Sequence, residues 1–296
     1  MAKILVTGGA GFLGSHIADS LSAAGHAVTM LDLKASTFTQ PGKQTMVVGS
    51  ILEYDFLESF LLQNQFDVVY HLAAFADLNA AKDKPRATAE VNILGTLNML
   101  EASVKANVKR FIFGSSVYVY STHGGFYRCS KQACENYIEE FSNRYQLDFT
   151  ILRFGSLYGT RTNETNGVFR LLKQVMQGEE ILYHGSGDDK REYIHVQDAS
   201  RLSVQALQPE YANKHLTLTG NDRLSIAELF KMFGEILNTE VRVRFENQHG
   251  GASGHYAITP YTFTPKLGRK LVSQEYVDMG QGLIQVIEAI HNQQHT

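Results

Sequence analysis

The sequence is poor in cysteine, has no long apolar run and carries no excess of positive charge. Its two cysteines, Cys129 and Cys134, are too few for a disulfide framework, and no histidine cluster beside them suggests a metal. No apolar stretch approaches the roughly 20 residues of a membrane-spanning helix, and the first predicted strand begins too early for a signal peptide to precede it. The net charge of −3 leaves no basic surplus for nucleic-acid phosphates. We expect a soluble, cytoplasmic, metal-free protein that binds neither membrane nor nucleic acid.

Predicted strands and helices alternate along the first half of the 296-residue chain. A strand, a glycine-rich turn, a helix ending before Gly25 and a second strand make a β-α-β unit at the N-terminus. Such alternation predicts a parallel sheet covered by helices on both faces, which is the doubly wound α/β arrangement. The predicted strands of this half are 3–7, 26–31, 66–72, 109–114 and 150–154, and the helices are 12–24, 88–106 and 130–145.

The pattern becomes less regular after Gly159. Ser225 and Glu228 predict a helix that begins with a capping box and runs to Leu237. This part of the chain predicts a smaller mixed α/β lobe at the C-terminal side. Its other predicted elements are helices at 167–177 and 279–291 and short strands at 181–183, 192–195 and 216–219.

A glycine-rich turn follows the first strand. Gly8, Gly11 and Gly14 in TGGAGFLG permit a tight turn, a close approach to a pyrophosphate and close packing of helix on strand. The free N–H groups at the start of the helix favour an anion. Asp32 ends the second strand, where a carboxylate binds the adenosine ribose and repels the 2′-phosphate of NADP, although the nearby Lys34 leaves NADP open. The motif predicts a Rossmann-type dinucleotide site and favours NAD.

Tyr127 and Lys131 form a Y-x-x-x-K motif, and their spacing puts both on one face of a helix. A neighbouring ammonium stabilises a phenolate, so we expect Lys131 to lower the pKa of Tyr127 and make it a general base. Ser115 and Ser116 follow the apolar segment 111–113, at the strand end where ligands bind in open α/β sheets. A hydroxyl there is placed to hydrogen-bond the reacting oxygen of a substrate.

These motifs, with others in the same order, resemble the extended short-chain dehydrogenase/reductase family, specifically its NAD-dependent nucleotide-sugar epimerase/dehydratase branch. The resemblance covers about two thirds of the chain and is more specific for fold and cofactor than for substrate. The matching segments are TGGAGFLG (7–14), HLAA (71–74), VNILGT (91–96), SSVYVY (115–120), YRCSK (127–131), LRFGSLYG (152–159) and REYIHVQDA (191–199).

The resemblance implies a role for each matching residue. Tyr127 is the expected base and acid, Lys131 binds the nicotinamide ribose and tunes Tyr127, and Ser116 completes the triad. Asn92 is expected to line the cofactor groove and order the nearby backbone. The implied cofactor-binding residues are Gly8, Gly11, Phe12, Leu13, Gly14, Asp32, Leu72, Ala73, Ala74, Asn92 and Lys131. The expected substrate-binding residues are Ser115, Ser156 and Arg191, the last on the diphosphate, and His195 and Asp198 are expected to be structural.

One departure from the family pattern favours a particular reaction. Val117 and Tyr118 stand where the dehydratases carry an Asp–Glu pair, and neither supplies the acid or base that eliminates water. An aliphatic residue followed by a hydroxyl-bearing one resembles the 4-epimerase pattern. The leading hypothesis is therefore an NAD-dependent nucleotide-sugar epimerase acting at C4 through a transient 4-keto sugar. The resemblance suggests a role in making precursors of surface polysaccharides or glycoconjugates.

Other departures concern binding. The loop from Ser116 to Tyr127 is shorter than is usual in the family, which predicts a more open or differently shaped rim. Ser50 occupies the place of an acid that often contacts the adenine, and Ser156 that of an Asn that often binds substrate. The segment GGASGHYA (250–257) lacks the diphosphate-binding Arg that is common there.

Two alternatives stay open. The same triad would serve a reductase of a keto-sugar nucleotide that uses NADH or NADPH, although Asp32 argues against NADPH. A non-catalytic dinucleotide-binding sensor is the other alternative, and the presence of Tyr127, Lys131 and Ser116 argues against it.

The expected domain division is a dinucleotide-binding domain of residues 1–159, to which 188–215 returns, and a substrate lobe of 160–187 and 216–296. The resemblance also implies a homodimer that pairs through the helices at 88–106 and 130–145.

Overall fold

The computed structural model describes residues 1–246 and 256–263. In these ranges the strands are β1 (Lys3–Thr7), β2 (Ala27–Asp32), β3 (Gln44–Val48), β4 (Val68–His71), β5 (Arg110–Ser116), β6 (Asp148–Phe154), β7 (Ser156–Tyr158), β8 (Ile181–His184), β9 (Lys190–His195), β10 (Lys214–Leu218), β11 (Arg223–Ser225) and β12 (Val243–Glu246). The α-helices are α1 (Phe12–Ala23), α2 (Tyr54–Asn64), α3 (Leu78–Ala81), α4 (Pro85–Ala89), α5 (Gly95–Lys105), α6 (Gly125–Tyr145), α7 (Gly167–Met176), α8 (Val196–Gln205) and α9 (Ile226–Leu237).

Seven parallel strands form the central sheet in the order β10-β6-β5-β4-β1-β2-β3. The strands β4, β5 and β6 are buried over nearly their whole length, which explains their continuous apolar runs. Because every strand runs the same way, their carboxyl ends meet along one edge of the sheet. The predicted doubly wound parallel sheet of the Rossmann type is confirmed.

A separate apolar core covers each face of this sheet. Successive side chains of β1 point alternately into the two cores. Leu5 points into a core with residues of α2, α5 and α6, among them Leu57 and Leu100. Its neighbours Ile4 and Val6 point into the other core, which α1 and α8 complete. Burial on both faces fixes the strand ends from which the loops at the carboxyl edge begin.

A third core joins α7, β8 and α9 near the end of the described chain. The predicted capping box is present: the Ser225 hydroxyl accepts from the Glu228 amide, and the Glu228 carboxylate accepts from the Ser225 amide. Two small sheets accompany this core, in the orders β11-β9-β7 and β12-β8. The buried members of the core are Val175, Ile181, Ile226, Leu229, Phe230 and Phe233.

The structure departs from the sequence predictions in particular elements. Helix α6 begins at Gly125, five residues before the predicted start at Ser130, so Tyr127 lies in its first turn. The predicted helix 88–106 is divided, because a π-helical turn at Glu90–Leu94 separates α4 from α5. The predicted helix at 279–291 and residues 250–255 of GGASGHYA lie outside the described residues. Within the described ranges, no helix combines the length and apolarity needed to cross a membrane.

Candidate active site

A cleft of about 1580 Å³ opens at the carboxyl ends of the central strands. One side is lined by residues from 8–14, 31–33, 49–52 and 72–82, and we call it the glycine side. The facing side takes its lining residues from 114–131 and 154–193, and we call it the tyrosine side. The cleft brings together most of the site residues predicted from the sequence.

The turn between β1 and α1 is built from glycines for steric reasons. Gly8 has a φ of +70°, and a Cβ on Gly14 would lie 2.1 Å from the Gly8 carbonyl oxygen. Helix α1 begins after Gly11 without a side-chain cap, which leaves the first-turn amides of Phe12 and Leu13 free of a capping side chain. These amides lie at the cleft wall, where the helix N-terminus attracts an anion. The turn therefore fits a pyrophosphate.

Asp32 lies at the end of β2 beside this turn. Its carboxylate accepts hydrogen bonds from the amides of Ala10 at 3.0 Å and Leu33 at 2.7 Å. These bonds fix the carboxylate at the cleft wall, where it stays a predicted partner for a ribose. Ser50 lines the same side.

The HLAA segment is held against the glycine turn by a buried chain of hydrogen bonds. The Thr7 hydroxyl is 2.8 Å from His71 Nδ1 and also accepts from the amides of Leu72 and Ala73. His71 Nε2 lies 3.1 Å from the Thr96 hydroxyl. Burial lowers the pKa of His71 to about 3, so the ring is neutral at physiological pH. His71 therefore orders the backbone of the cofactor groove, the role that the resemblance implies for HLAA.

Asn92 lies in the π-helical turn and holds two neighbouring segments together. Its amide nitrogen donates to the Ser130 hydroxyl at 2.8 Å, and its oxygen accepts from the Phe75 amide at 2.6 Å. The side chain is buried. Asn92 orders the backbone, as the resemblance implies, but it is not among the cleft-lining residues.

Lys131 is buried one helical turn beyond Tyr127. Its ammonium donates to the Gly114 carbonyl at 2.7 Å and lies 4.4 Å from the centroid of the Phe113 ring. The distance to the Tyr127 ring centroid is 5.8 Å. Burial lowers the pKa of Lys131 to about 8. Because this value is still above neutral pH, most of the side chain stays protonated there. Lys131 thus brings a positive charge close to Tyr127.

Tyr127 is half-buried in the cleft wall, and its hydroxyl hydrogen-bonds Ser116. Burial raises the pKa of Tyr127 to about 12, and the bond to Ser116 opposes that rise only in part. The expectation that the nearby Lys131 lowers this pKa is not met in the structure, because the cost of burying a phenolate is larger. A further positive charge beside the phenol would oppose the cost of burial and favour the phenolate.

Ser116 has two partners. Besides its bond to Tyr127, its hydroxyl accepts from the Tyr118 amide at 3.3 Å and caps the 3-10 turn at Val117–Tyr120. The structure thus places Ser116, Tyr127 and Lys131 together in the cleft wall, at the end of β5 and the start of α6.

A buried network behind the tyrosine side was missed in the sequence. Glu135 forms an ion pair with Arg153 at 2.6 Å, and their side chains are only 5% and 8% exposed. The Ser115 hydroxyl donates to Glu135 at 2.5 Å, and Arg153 also donates to the Tyr120 hydroxyl. Ser115 is among the residues that line the cleft, but its hydroxyl is engaged with Glu135 instead of being free for substrate. The spacing of Glu135 four residues after Lys131 would indicate a pair within the helix, not the observed pairing with Arg153 on β6.

The two other predicted substrate residues line the tyrosine side. Arg191 donates to the Tyr183 hydroxyl at 3.2 Å, and its buried Nε has no partner among the described residues. The Ser156 hydroxyl lies 3.4 Å from the Tyr256 hydroxyl.

The residues predicted to be structural lie outside the cleft lining. The His195 ring caps α8 by accepting from the Gln197 amide, and Asp198 pairs with Arg201 on the surface.

Comparison with known proteins agrees with the fold. The family model of the NAD dependent epimerase/dehydratase family matches residues 4–218. A UDP-glucose 4-epimerase of Mycolicibacterium smegmatis is 30% identical over 77% of this chain and 80% of its own length. A UDP-N-acetyl-alpha-D-glucosaminuronate decarboxylase of Bacillus cytotoxicus is 28% identical over 81% of this chain and 82% of its own. The crystal structure of a Thermotoga maritima UDP-glucose 4-epimerase with UDP-glucose superposes with a TM-score of 0.79, at 28% identity and with 88% and 90% of the two chains covered.

Proposed function

The chain belongs to the NAD dependent epimerase/dehydratase family, and on that premise we propose that it is a nucleotide-sugar epimerase acting at C4. The observation that carries this proposal is the chemistry of the tyrosine side. Ser116, Tyr127 and Lys131 meet there, and no carboxylate is among the described residues that line this side. Redox chemistry at a carbinol carbon is supported, whereas the acid–base pair for eliminating water is missing from the described lining.

The glycine side fits NAD by its own geometry. The uncapped start of α1 accepts the pyrophosphate, Gly8 and Gly14 let the backbone come close, and Asp32 favours an unphosphorylated ribose. When bound, NAD supplies a reversible hydride acceptor for the carbon that carries the attacked hydroxyl, together with a positive charge in the oxidised state.

The protein's own groups handle the proton. Tyr127 takes the proton of the C4 hydroxyl as that carbon becomes a ketone, and returns it after the sugar has turned in the cleft. Ser116 hydrogen-bonds the same oxygen and holds it beside the phenol. Lys131 keeps a positive charge near the phenolate and is positioned by the Gly114 carbonyl. Arg191 contacts the diphosphate, which anchors the nucleotide while the sugar rotates.

The domain division and the homodimer remain proposals. Helix α8 packs on α1, which supports the return of residues 188–215 to the dinucleotide-binding domain. The apolar core of α7, β8 and α9 supports a separate substrate lobe that includes 160–187. Exposed side chains on the two helical segments expected to pair, among them Leu94 and Tyr137, support the homodimer.

The decisive experiment is turnover of a panel of UDP-, GDP- and dTDP-sugars without added reductant, followed through their anomeric protons by NMR. We expect one sugar to give its C4 epimer and to reach the same ratio from either side. Formation of a pentose product with release of CO2 would show that the reaction is decarboxylation and not epimerisation. Silence across the panel, with turnover of keto-sugar nucleotides and NADH or NADPH, would make the protein a reductase.

A further inference from the structure

The charges that line the cleft are unevenly distributed. The acids of the described lining, Asp32 and Asp77, both lie on the glycine side, and the Asp77 carboxylate already caps α3. The tyrosine side carries Lys131 and three arginines without an acid beside them in the described lining. A surface of this kind attracts anions and orients them. The arginines are Arg128, Arg170 and Arg191.

Arg128 has no assigned role among these cations. It follows Tyr127 directly in the first turn of α6 and lines the cleft. Its Nη1 donates to the Ser121 carbonyl at 3.1 Å, while its buried Nε has no hydrogen-bond partner in the described ranges. No described acidic side chain forms an ion pair with it. A guanidinium with an unsatisfied buried N–H is costly unless a ligand provides the acceptor.

The short loop before α6 fixes this guanidinium in place. Gly124 has a φ of +91°, and a Cβ there would lie 2.7 Å from the Tyr118 ring and 3.2 Å from Arg128 Cβ. The loop therefore packs closely between Tyr118 and Arg128. Its Ser121 carbonyl then restricts the rotation of the guanidinium.

We propose that Arg128 binds a carboxylate on the sugar, so that the preferred substrates are nucleotide-linked uronic acids. This inference rests on the proposed function, because it places the sugar C4 at Tyr127. In a hexuronic acid the carboxylate is carried by C5, the immediate neighbour of C4. Arg128 lines the same cleft as Tyr127 and has a buried N–H without an acceptor. Its guanidinium has the planar fork that matches a carboxylate.

The diphosphate is a less suitable partner for Arg128. It is attached through C1, on the opposite side of the sugar ring from C4, and Arg191 on β9 is the arginine assigned to it. Arg170 is also less suitable, because its Nη1 donates to the Glu164 carbonyl at an exposed position.

The test compares binding of UDP-glucuronate and UDP-glucose to the NAD-loaded protein by calorimetry. The unmodified protein is expected to bind UDP-glucuronate more tightly. Arg128→Met should reduce the ratio of the two affinities about 10- to 100-fold, the loss expected for a hydrogen bond between charged groups. Arg128→Lys should restore part of the ratio. Arg144→Met is the matched control, since Arg144 is exposed in the last turn of the same helix.

The outcomes separate the inference from the proposed function. Equal weakening of both ligands in Arg128→Met would overturn the inference and assign Arg128 to the diphosphate or to the loop. A preference of the unmodified protein for UDP-glucose would overturn it without any variant. Tighter binding of UDP-glucuronate that is lost in Arg128→Met would support the inference even if no C4 epimer formed, in which case only the proposed function would fail.

Discussion

The two sides of the cleft are built by different means. On the glycine side the backbone forms the site: the turn at Gly8 and Gly14 works because these residues have no side chain, and Thr7 and His71 hold the next segment against it. On the tyrosine side the site consists of side chains, each positioned by a separate partner. A backbone site leaves a fixed spacing in the sequence, whereas a side-chain site depends on contacts between distant residues.

The largest effect is expected at Tyr127, whose hydroxyl is the proton carrier. Tyr127→Phe removes that hydroxyl without changing the glycine side, so kcat should fall about 10²- to 10⁴-fold while NAD stays bound. Steady-state kinetics and the NAD content of the purified variant measure the two quantities. Loss of NAD together with activity would show that the two sides are not independent.

The buried pair behind the tyrosine side should contribute most to stability. Glu135→Leu leaves Arg153 buried without its partner and should lower the free energy of unfolding by about 3–5 kcal/mol. Urea unfolding measures the change, with Asp198→Asn in an exposed pair as the control that changes little. The double variant Glu135→Leu/Arg153→Met should recover much of the loss. An unaltered midpoint in Glu135→Leu would mean that the network is unimportant.

Lys131 should make stability depend on pH. Its folded pKa of about 8 lies below the ordinary value of about 10.4, so between these values the unfolded chain binds a proton that the folded chain has released. The free energy of unfolding should therefore rise with pH across this window, by up to roughly 3 kcal/mol from this group. The difference between the unmodified protein and Lys131→Met, measured by urea unfolding from pH 7.5 to 10.5, isolates that contribution. A constant difference would contradict burial of the charged lysine.

A single added methyl group should have different effects on the two sides of the cleft. Gly14→Ala places a Cβ against the Gly8 carbonyl and should cost about 1–3 kcal/mol of NAD binding or stability. Gly167→Ala is the matched control on the tyrosine side, because a Cβ there has no neighbour within 4 Å. Titration with NAD and thermal unfolding measure both variants. Equal effects would remove the contrast between the two sides.

The fold and the glycine side were largely predictable because they depend on local patterns. Apolar strands buried on both faces and the glycine spacing gave the parallel sheet and the turn. The edge strand β3 was missed, since it is half-exposed and its apolar pattern is weak. The start of α6 was placed too late because Gly124 precedes the helix and Gly125 is its first residue, although both glycines permit the tight entry into the helix.

The tyrosine side was only partly predictable. The spacing of Tyr127 and Lys131 identified the pair, but the direction of the pKa change in Tyr127 depends on burial, which spacing does not contain. The pairing of Glu135 with Arg153 joins residues 18 positions apart on a helix and a strand. Only the folded chain reveals that the Glu135 carboxylate also accepts a hydrogen bond from the Ser115 hydroxyl.

The most direct test of the proposed cycle uses the sugar nucleotide that the panel identifies as the substrate, labelled with deuterium at C4. Hydride transfer from C4 and back to the same carbon predicts that the C4 epimer keeps the deuterium and gains no hydrogen from solvent. NMR of the product after reaction in ordinary water measures the label directly. Exchange of the C4 deuterium with solvent would contradict the cycle, because it would mean that C4 loses a proton instead of a hydride.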